Sequence, residues 1–404
     1  MERIGEDSKA EVLYRFKWNS SIGEHEETYL CKINIWRECN LLPEVVRELL
    51  IGRKEGETFS VDFKKGEIFE YSEKKILKLR SSQFDPPASL RARVKPRIGR
   101  FYPFGFFRGI SGVFPQNIIP VRVIGVSEDD LVIDTNVPIA KYDLHLDAQV
   151  LKVSKKVLEL GGSCRDWFSI ALENGPGMQV RYDGLPTDFE FDNPETFRRE
   201  DETSDRIFYE KPRITTHIDS KAHENLVELY SRVLPNEGKI LDLMSSYQSH
   251  IPENEKLEVV GLGLNEEEMR LNKRLKEYVI HDLNENPKLP FDDNEFDAVV
   301  CDLSIEYVVK PFELVAEIRR ILKKKGVFTA SFSNRYFPPK VIKIWTELHE
   351  FERMGYVLEI LLRDGGYKNF KTFSIRGMDR PIYDKYVGIT STSDPLYVVY
   401  AQKA

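Results

Sequence analysis

The sequence has 404 residues, of which 41% are hydrophobic and 31% charged, a composition typical of globular proteins and unlike that of disordered chains. A chain of this length predicts two or three domains. The net charge of −7 argues against nucleic acid as the main partner, because phosphate binding needs clustered Lys and Arg. No apolar run approaches the roughly 20 residues of a membrane span. Four cysteines without a CxxC pair complete the pattern of a cytoplasmic protein with reduced thiols.

Three zones differ in their residue pattern. Residues 1–156 contain short alternating runs typical of strands, interrupted by one predicted helix over Leu42–Ile51. Residues 157–205 are irregular and rich in Gly, Pro, Asp and Glu, and their aromatic residues predict a packed connector. Residues 206–404 alternate between strand-like and helix-like segments, which predicts a mostly parallel, doubly wound sheet.

The elements of the third zone follow from hydrophobic periodicity and turn residues. In chain order the prediction is helix His223–Leu234, strand Lys239–Leu243, strand Leu257–Leu262, helix Glu266–Leu275, strand Phe296–Cys301, helix Pro311–Lys323 and strand Gly326–Phe332. In a sheet of this kind the ligand binds at the carboxyl ends of the strands. We therefore expect the functional residues in the loops that follow these strands and the segment ending at Ile280.

A specific motif lies in this third zone. The run Leu289–Cys301 reads LPFDDNEFDAVVC, and Asp282-Leu283 precedes it. Further on, the predicted helix Pro311–Lys323 is followed by Lys325 and Gly326. The order and spacing of these segments resemble the class I (type 11) S-adenosylmethionine-dependent methyltransferases. The resemblance implies a Rossmann-like methyltransferase domain over residues 206–404 that uses S-adenosyl-L-methionine as its cofactor.

The turn after the first strand of this zone departs from the family pattern. It reads MSSYQSH over Met244–His250, without the glycines that let the backbone approach the methionyl group of the cofactor. Two interpretations stay open: a fold that no longer binds cofactor, or an atypical pocket. In the atypical pocket, Ser245 and Ser246 donate to the cofactor carboxylate and Asp242 orients its ammonium group. We favour this pocket because the turn resembles the DLMSSW-SHLP run of uncharacterised methyltransferase-like proteins. We expect the turn to adopt right-handed or bridge geometry, because serine cannot reach the positive φ angles of glycine cheaply.

The resemblance implies further cofactor-binding positions. Gly263 stands where the family has an acid that binds the ribose hydroxyls, and Asn265 is the nearest polar residue. Asp282 matches the acid that accepts the adenine amino group. The predicted cofactor-binding residues are Asp242, Met244, Ser245, Ser246, Gly263, Asn265, Asp282, Leu283 and Asp302.

The acceptor side is predicted from loops after the fourth and fifth strands of the zone. A methyltransferase mainly positions the acceptor and removes a proton where needed. The predicted catalytic residues are Glu306, Tyr307 and Asn334, with Asp302, Arg335 and Tyr336 as further candidates; each is also consistent with a helix cap or a solvated loop. No metal site is expected, because His281 and His349 have no partners at metal-ligand spacing.

The first zone carries two separated motifs. Leu41–Gly52 reads LLPEVVRELLIG and precedes GETF, and Asp134–Ala140 reads DTNVPIA. They resemble the FKBP signature and the last insert segment of the SlyD-like FKBP-type prolyl isomerases. The resemblance implies a β-rich half-barrel over residues 1–156, with a closing strand at Leu144–Val153 and an inserted flap at about residues 101–134 that holds unfolded chain. The expected fold class is thus two-domain, an α+β FKBP-like half-barrel followed by an α/β Rossmann-like sheet.

Several positions depart from the isomerase pattern. Isomerisation needs an apolar basin that desolvates the X-Pro amide against a barrier of about 18–20 kcal/mol. Leu41 and Leu42 match two basin positions, whereas Val45 replaces the aromatic floor. The remaining departures are Arg37, Cys39, Val137 and Lys141. These changes favour a polypeptide-binding module over an efficient isomerase.

Two functions remain consistent with the sequence. The first is an S-adenosylmethionine-dependent methyltransferase whose FKBP-like domain binds a protein or peptide substrate. The second is a prolyl isomerase or chaperone that uses a cofactor-free Rossmann-like domain as a scaffold. Cofactor binding separates the two.

Overall fold

The computed structural model describes residues 2–5, 8–34, 40–91, 94–155 and 165–404. The chain divides into two compact units, Met1–Phe189 and Glu190–Ala404. The sequence predicted a packed connector over residues 157–205. The structure instead divides its described part between the two units, because helix Trp167–Leu172 packs into the core of the first and Asp205–Phe208 is helical in the second.

The first unit is rich in strands. Its strands are β1 (Ser8–Asn19), β2 (Gly23–Asn34), β3 (Asn40–Leu41), β4 (Thr58–Phe63), β5 (Ile76–Arg80), β6 (Phe101–Pro103), β7 (Pro120–Val126), β8 (Asp130–Asp134), β9 (Leu144–Lys155) and β10 (Arg165–Asp166), and its helices are α1 (Glu44–Leu50) and α2 (Trp167–Leu172). Antiparallel pairing gives the strand orders β2-β1-β9-β4 and β5-β8-β7-β6, and β3 pairs with β10 in parallel.

Alternation along β1 positions the core of the first unit. Val12, Tyr14, Phe16 and Trp18 point to one face and are buried, as expected for a strand with one solvated side. Helix α1 adds Val46 and Leu50 to this core. The predicted helix and closing strand are therefore present, as α1 and β9.

The sheet formed by β5–β8 is inserted between two paired strands. Phe63 at the end of β4 pairs with Leu144 at the start of β9, so the chain leaves the first sheet and returns to it at neighbouring positions. The inserted strands span residues 76–134, whereas the sequence predicted an insert over about 101–134. The earlier start arises because β5 pairs with β8 and completes the inserted sheet at its edge.

The second unit contains a mostly parallel sheet. Its strands are β11 (Gly238–Leu243), β12 (Leu257–Gly263), β13 (Glu277–Ile280), β14 (Phe296–Asp302), β15 (Leu322–Phe332), β16 (Tyr367–Arg376) and β17 (Leu396–Lys403), and its helices are α3 (Asp205–Phe208), α4 (Ser220–Val233), α5 (Glu266–Leu271), α6 (Pro311–Ile321), α7 (Lys343–Glu347) and α8 (Glu350–Asp364). The strand order is β13-β12-β11-β14-β15-β17-β16, parallel from β13 to β15 and antiparallel at β17 and β16. The predicted parallel sheet is confirmed.

The strand order determines where a ligand can bind in this unit. The chain moves outward from β11 to β12 and β13, and then crosses to β14 on the other side of β11. Such a switch point leaves a crevice at the carboxyl ends of the two central strands. The central strands are buried along nearly their whole length, as is usual for parallel strands covered on both faces.

Helix α5 is shorter than predicted. The periodicity suggested a helix to Leu275, but the helix ends at Leu271. The side chain of Asn272 donates to the carbonyl oxygen of Ser246 at 2.8 Å and so engages the turn after β11. The described helices are too short or too polar to span a membrane.

Candidate cofactor site

A cleft of about 530 Å³ lies at the carboxyl ends of β11–β14 in the second unit. This volume lies within the usual range of small-molecule sites. Every residue predicted to bind cofactor lines the cleft, as do Tyr307, Arg335 and Tyr336 from the acceptor-side candidates. Of the predicted catalytic residues, Glu306 and Asn334 are not in the cleft wall.

The turn after β11 adopts a geometry that the sequence did not predict. Right-handed or bridge conformations were expected in the absence of glycine, but Met244 has a φ of 58°. The expectation is wrong because this left-handed residue brings the chain back onto β12, where the Ser245 N–H donates to the Leu262 carbonyl at 2.7 Å. A left-handed conformation costs a non-glycine residue about 1–2 kcal/mol.

The turn after β11 contains no glycine, but it packs against Gly263 at the end of the neighbouring strand β12. A Cβ atom on Gly263 would overlap the carbonyl oxygen of Ser245 and lie 2.9 Å from the sulfur of Met269. The turn therefore packs against β12 at a distance that only glycine permits at position 263. Gly263 lines the cleft as a packing residue, and it carries no carboxylate for a ribose.

The serine hydroxyls of the turn donate to buried acids. Ser245 donates to Asp242 Oδ2 at 2.9 Å, and Ser249 donates to the same oxygen. Ser246 donates to Glu268 Oε2 at 2.7 Å. A hydroxyl has a single hydrogen to donate. The Ser245 and Ser246 hydroxyls, which were predicted to donate to a cofactor carboxylate, therefore donate to these acids instead.

The two acids that accept these bonds make this end of the cleft negative. Burial raises the pKa of Asp242 to about 6, although the bonds from Ser249 and Ser245 act in the opposite direction. Glu268 on α5 is also buried, and its Oε1 accepts from the Arg213 N–H at 2.6 Å. Two buried carboxylates suit the ammonium group of an amino-acid ligand.

Glu268 was missed by the sequence analysis. It is the last of three consecutive acids at the start of α5, where acids commonly favour the helix dipole and remain solvated. The available signal was the spacing of Asn265 and Glu268, which is that of a capping box. Asn265 does cap α5 by accepting from the Glu268 N–H at 3.1 Å, but the Glu268 side chain turns into the cleft wall instead of back to Asn265.

Asn265 uses its amide for structure. Its Nδ2 donates to the carbonyl oxygens of Tyr209 and Glu210 at 2.9 and 3.0 Å, while its Oδ1 caps α5. The residue lines the cleft, but these bonds engage the polar atoms that the sequence analysis proposed for the ribose.

Asp282 and Leu283 lie where the chain leaves β13. Asp282 is buried and its Oδ1 accepts from the N–H groups of Asn284 and Glu285 at 3.0 and 3.2 Å. These bonds hold the carboxylate in place and leave Oδ2 for an external donor such as an exocyclic amine. Leu283 is buried beside it and supplies an apolar surface.

Asp302 ends β14, next to β11, and lines the cleft. It accepts hydrogen bonds from Tyr230 and from Ser331, the latter at 2.5 Å. Burial raises its pKa to about 7, opposed by these two hydroxyls. Tyr307 also lines the cleft, and its hydroxyl accepts from the Phe337 N–H at 2.8 Å. A carboxyl group with a pKa near neutrality can exchange a proton at physiological pH.

Glu306 and Asn334 lie outside the cleft wall for different reasons. Glu306 is turned into the protein interior, where burial raises its pKa to about 8. Its Oε2 has no hydrogen-bond partner among the described residues. Asn334 is exposed and accepts from Ser333 at 3.3 Å. The sequence identified the loops correctly but could not indicate the direction in which each side chain points.

Two histidines near the cleft were also not predicted. The Nδ1 atoms of His223 and His250 are 2.7 Å apart, so one ring donates to the other. Burial lowers the pKa of both rings, that of His250 to about 3, and so favours their neutral forms. In the described ranges, His, Cys, Asp and Glu side chains form no group of three or more with metal-site geometry.

The positions of the first unit that the sequence matched to the FKBP signature are partly exposed. Leu41 is 52% exposed, whereas Leu42 and Val137 pack against the core. Val45 is exposed, and Lys141 donates to Asp183 at 3.1 Å. The predicted positions Arg37 and Cys39 lie outside the described residues.

Comparison with known proteins adds a family match to this geometry. Residues 245–330 match the family model described as a methyltransferase domain. No curated protein matches the sequence. Domains of this class use S-adenosylmethionine, so the match supports S-adenosylmethionine as the cofactor.

Several solved structures are similar to the chain. A SAM-dependent methyltransferase from Archaeoglobus fulgidus is 16% identical over 45% of this chain and 93% of that chain, with a TM-score of 0.32. A SAM-dependent methyltransferase from Aquifex aeolicus is 15% identical over 46% of this chain and 92% of that chain, with a TM-score of 0.30.

Proposed function

We propose that the second unit is an S-adenosylmethionine-dependent methyltransferase. The observation that carries this proposal is the position of the cleft within the matched segment. The match begins in the turn after β11 and extends through β14 into β15, and the carboxyl ends of β11–β14 border the cleft. S-adenosylmethionine, when bound, supplies an electrophilic methyl group.

The residues of the cleft fit the parts of this cofactor. Asp282 offers a fixed carboxylate oxygen to the adenine amino group, and Leu283 offers an apolar contact. Asp242 and Glu268 at the other end of the wall attract the ammonium group. The adenine is thus held by an acid that follows β13, and the amino-acid group by Asp242 near the end of β11 and Glu268 in α5, as expected for a ligand at a switch point.

On the acceptor side, Asp302 is the residue that we propose to take up a proton. It ends β14 in the cleft wall, and the hydroxyls of Tyr230 and Ser331 hold its carboxylate in position. Tyr307 in the same wall positions the acceptor. A general base whose pKa lies near the working pH contributes about 10²–10⁴-fold to a rate.

For the first unit we propose an FKBP-like fold that binds a polypeptide substrate. The inserted sheet and the position of α1 between β3 and β4 support the fold. The loop between β6 and β7 exposes Phe114 and Ile118, at 70% and 82%. Exposed apolar side chains on one loop suit the capture of an unfolded, apolar chain.

Methyl transfer to unfolded polypeptide by the full chain tests this function. Radiolabelled methyl groups from S-adenosylmethionine should appear in an unfolded acceptor protein, and the Asp302→Asn variant should transfer them about 10²-fold more slowly or worse. The variant should still bind S-adenosylhomocysteine. Cofactor binding with transfer to small molecules alone would show that the polypeptide acceptor is wrong.

A further inference from the structure

The cleft contains acids for an ammonium group, but the turn after β11 offers few donors for the adjoining carboxylate. The hydroxyls of Ser245 and Ser246 donate to Asp242 and Glu268, and the Ser245 N–H donates to Leu262. S-adenosylmethionine carries a carboxylate on the same carbon as its ammonium group. A cation near this turn would balance the charge of that carboxylate.

Arg213 supplies a cation of this kind in the cleft wall. Its guanidinium carbon lies 4.5, 5.0 and 5.2 Å from the ring centroids of Phe208, Tyr209 and Phe337. Its Nη2 donates to the Phe208 carbonyl at 3.1 Å. The buried Nη1 has no hydrogen-bond partner, and no carboxylate of the described chain lies within ion-pair distance of the guanidinium.

The position of Arg213 is coupled to the turn. The Arg213 N–H donates to one oxygen of Glu268, and the other oxygen of Glu268 accepts from Ser246. One carboxylate thus ties the backbone of Arg213 to the turn after β11. The Arg213 guanidinium therefore lies at the same end of the cleft as Asp242 and Glu268. That end contains both a cation and carboxylates.

Arg335, the other arginine of the cleft wall, is already neutralised. It donates to Asp394 Oδ2 at 2.8 Å, and its guanidinium lies over the ring of Tyr386. An anionic ligand would have to compete with a buried carboxylate for Arg335. At Arg213 it meets a guanidinium in the cleft wall that no carboxylate of the described residues neutralises.

We infer that Arg213 binds the carboxylate of the methionyl group of S-adenosylmethionine, while Asp242 accepts a hydrogen bond from its ammonium group. This inference rests on the proposed function, because it assumes that an adenosyl cofactor occupies the cleft. It replaces the carboxylate donors expected at Ser245 and Ser246. The aromatic rings around Arg213 limit its motion, so the guanidinium is preorganised for a planar anion.

Calorimetry on the full chain with matched ligands tests this inference. The ligands are S-adenosylhomocysteine and its decarboxylated amine, which differ in the carboxylate alone, and 5′-methylthioadenosine, which lacks the amino-acid group. Wild type should bind S-adenosylhomocysteine about 10- to 100-fold more tightly than the decarboxylated amine. Arg213→Met should remove this preference and leave the affinity for the other two ligands unchanged.

Two further variants serve as controls. Arg206 is exposed and pairs with Glu285 at 3.4 Å, so Arg206→Met removes a surface cation and should retain the full preference. Arg213→Lys retains the charge and should lower the affinity for S-adenosylhomocysteine several-fold without affecting the decarboxylated amine; it reports on the site even if Arg213→Met fails to fold.

Two results would contradict the account at different levels. A preference for S-adenosylhomocysteine that persists undiminished in Arg213→Met, or in Arg213→Lys where Arg213→Met does not fold, would overturn the role of Arg213. An equal loss of affinity for all three ligands would also overturn it. Failure of the wild-type chain to bind any of the three adenosyl ligands would overturn the proposed function itself.

Discussion

Asp242 combines burial with a role that requires a negative charge. Burial raises its pKa to about 6, so the carboxyl becomes protonated within an accessible pH range. Protonation removes the attraction for an ammonium group, and we expect the affinity for S-adenosylhomocysteine to fall as the pH drops through about 6. Titrations at several pH values should show this fall for wild type and a flat profile for Asp242→Asn. 5′-Methylthioadenosine, which has no ammonium group, should give a flat profile with both proteins.

Gly263 is the residue at which the packing of the turn can be tested. Gly263→Ala places a methyl group against the Ser245 carbonyl and the Met269 sulfur, and overpacking of this kind costs about 1–3 kcal/mol. We expect lower stability and weaker cofactor binding, measured by urea unfolding and calorimetry. Gly388→Ala is a matched control, since nothing lies within 4 Å of its added Cβ. Equal behaviour of the two variants would show that the turn is not held as described.

At the residue scale the sequence predicted the location of the site. It did not predict which side-chain atoms remain available to a ligand. The hydrophobic run ending at Leu243 located the turn, and Asp282 could be placed from the motif downstream. The Ser246 hydroxyl donates to Glu268, which is more than twenty residues away and reaches the turn only in the folded unit. Such pairings have no periodic signal in a sequence.

The segment between β16 and β17 is held to helix α4 by a cluster of buried charges. Arg380 donates to Asp394 at 2.6 Å and lies 3.5 Å from Asp219, the residue that caps α4. The same segment contributes Lys385 and Tyr386 to the cleft wall. The strand ends alone therefore do not complete the cleft, because its outer part depends on this cluster.

Arg380→Met tests the contribution of this element. Removing one partner leaves Asp219 and Asp394 as buried carboxylates without their main cation, a loss of about 3–5 kcal/mol. We expect a lower free energy of unfolding in urea and weaker cofactor binding. Lys256→Met breaks an exposed contact with Glu237 and should change stability by less than about 1 kcal/mol. A mild effect of Arg380→Met would show that the segment is held by other contacts.

The elements themselves were predicted well where they have regular hydrophobic periods. Strands β11, β12 and β14 begin and end within about one residue of the prediction, because buried parallel strands read as continuous apolar runs. Helix α5 was predicted too long, since Asn272 leaves the helix to bind the turn after β11. A tertiary contact therefore ends α5 earlier than the hydrophobic periodicity of the sequence predicts.

At the scale of the whole chain, two units of different architecture share one polypeptide. We expect the first unit to bind unfolded polypeptide through the loop between β6 and β7, and the full chain to isomerise a proline tetrapeptide poorly. The double variant Phe114→Ser with Ile118→Ser should weaken polypeptide binding about tenfold or more. The two serines have less apolar surface to bury against the bound polypeptide than Phe114 and Ile118 have. Fluorescence anisotropy with a labelled unfolded protein measures the affinity.

The second unit provides a matched control for this prediction. Ile382 and Ile389 are at least as exposed as Phe114 and Ile118, at 88% and 83%. Their double change to Ser should leave the affinity for unfolded polypeptide unchanged. An equal loss in both double variants would indicate unspecific apolar binding and contradict a role of the inserted sheet. Efficient isomerisation by the full chain would contradict the interpretation of Val45.

The measurement that tests the central claim most directly is the binding of S-adenosylhomocysteine to the full chain and to Asp282→Ala. The account predicts saturable binding that stabilises the protein by about 2.7 kcal/mol at a hundredfold excess over Kd. Asp282→Ala should fold normally and bind about 10- to 100-fold more weakly, because a charge-assisted hydrogen bond to the adenine is lost. Absence of binding to the folded wild-type chain would contradict the account and favour a cofactor-free scaffold beside a polypeptide-binding unit.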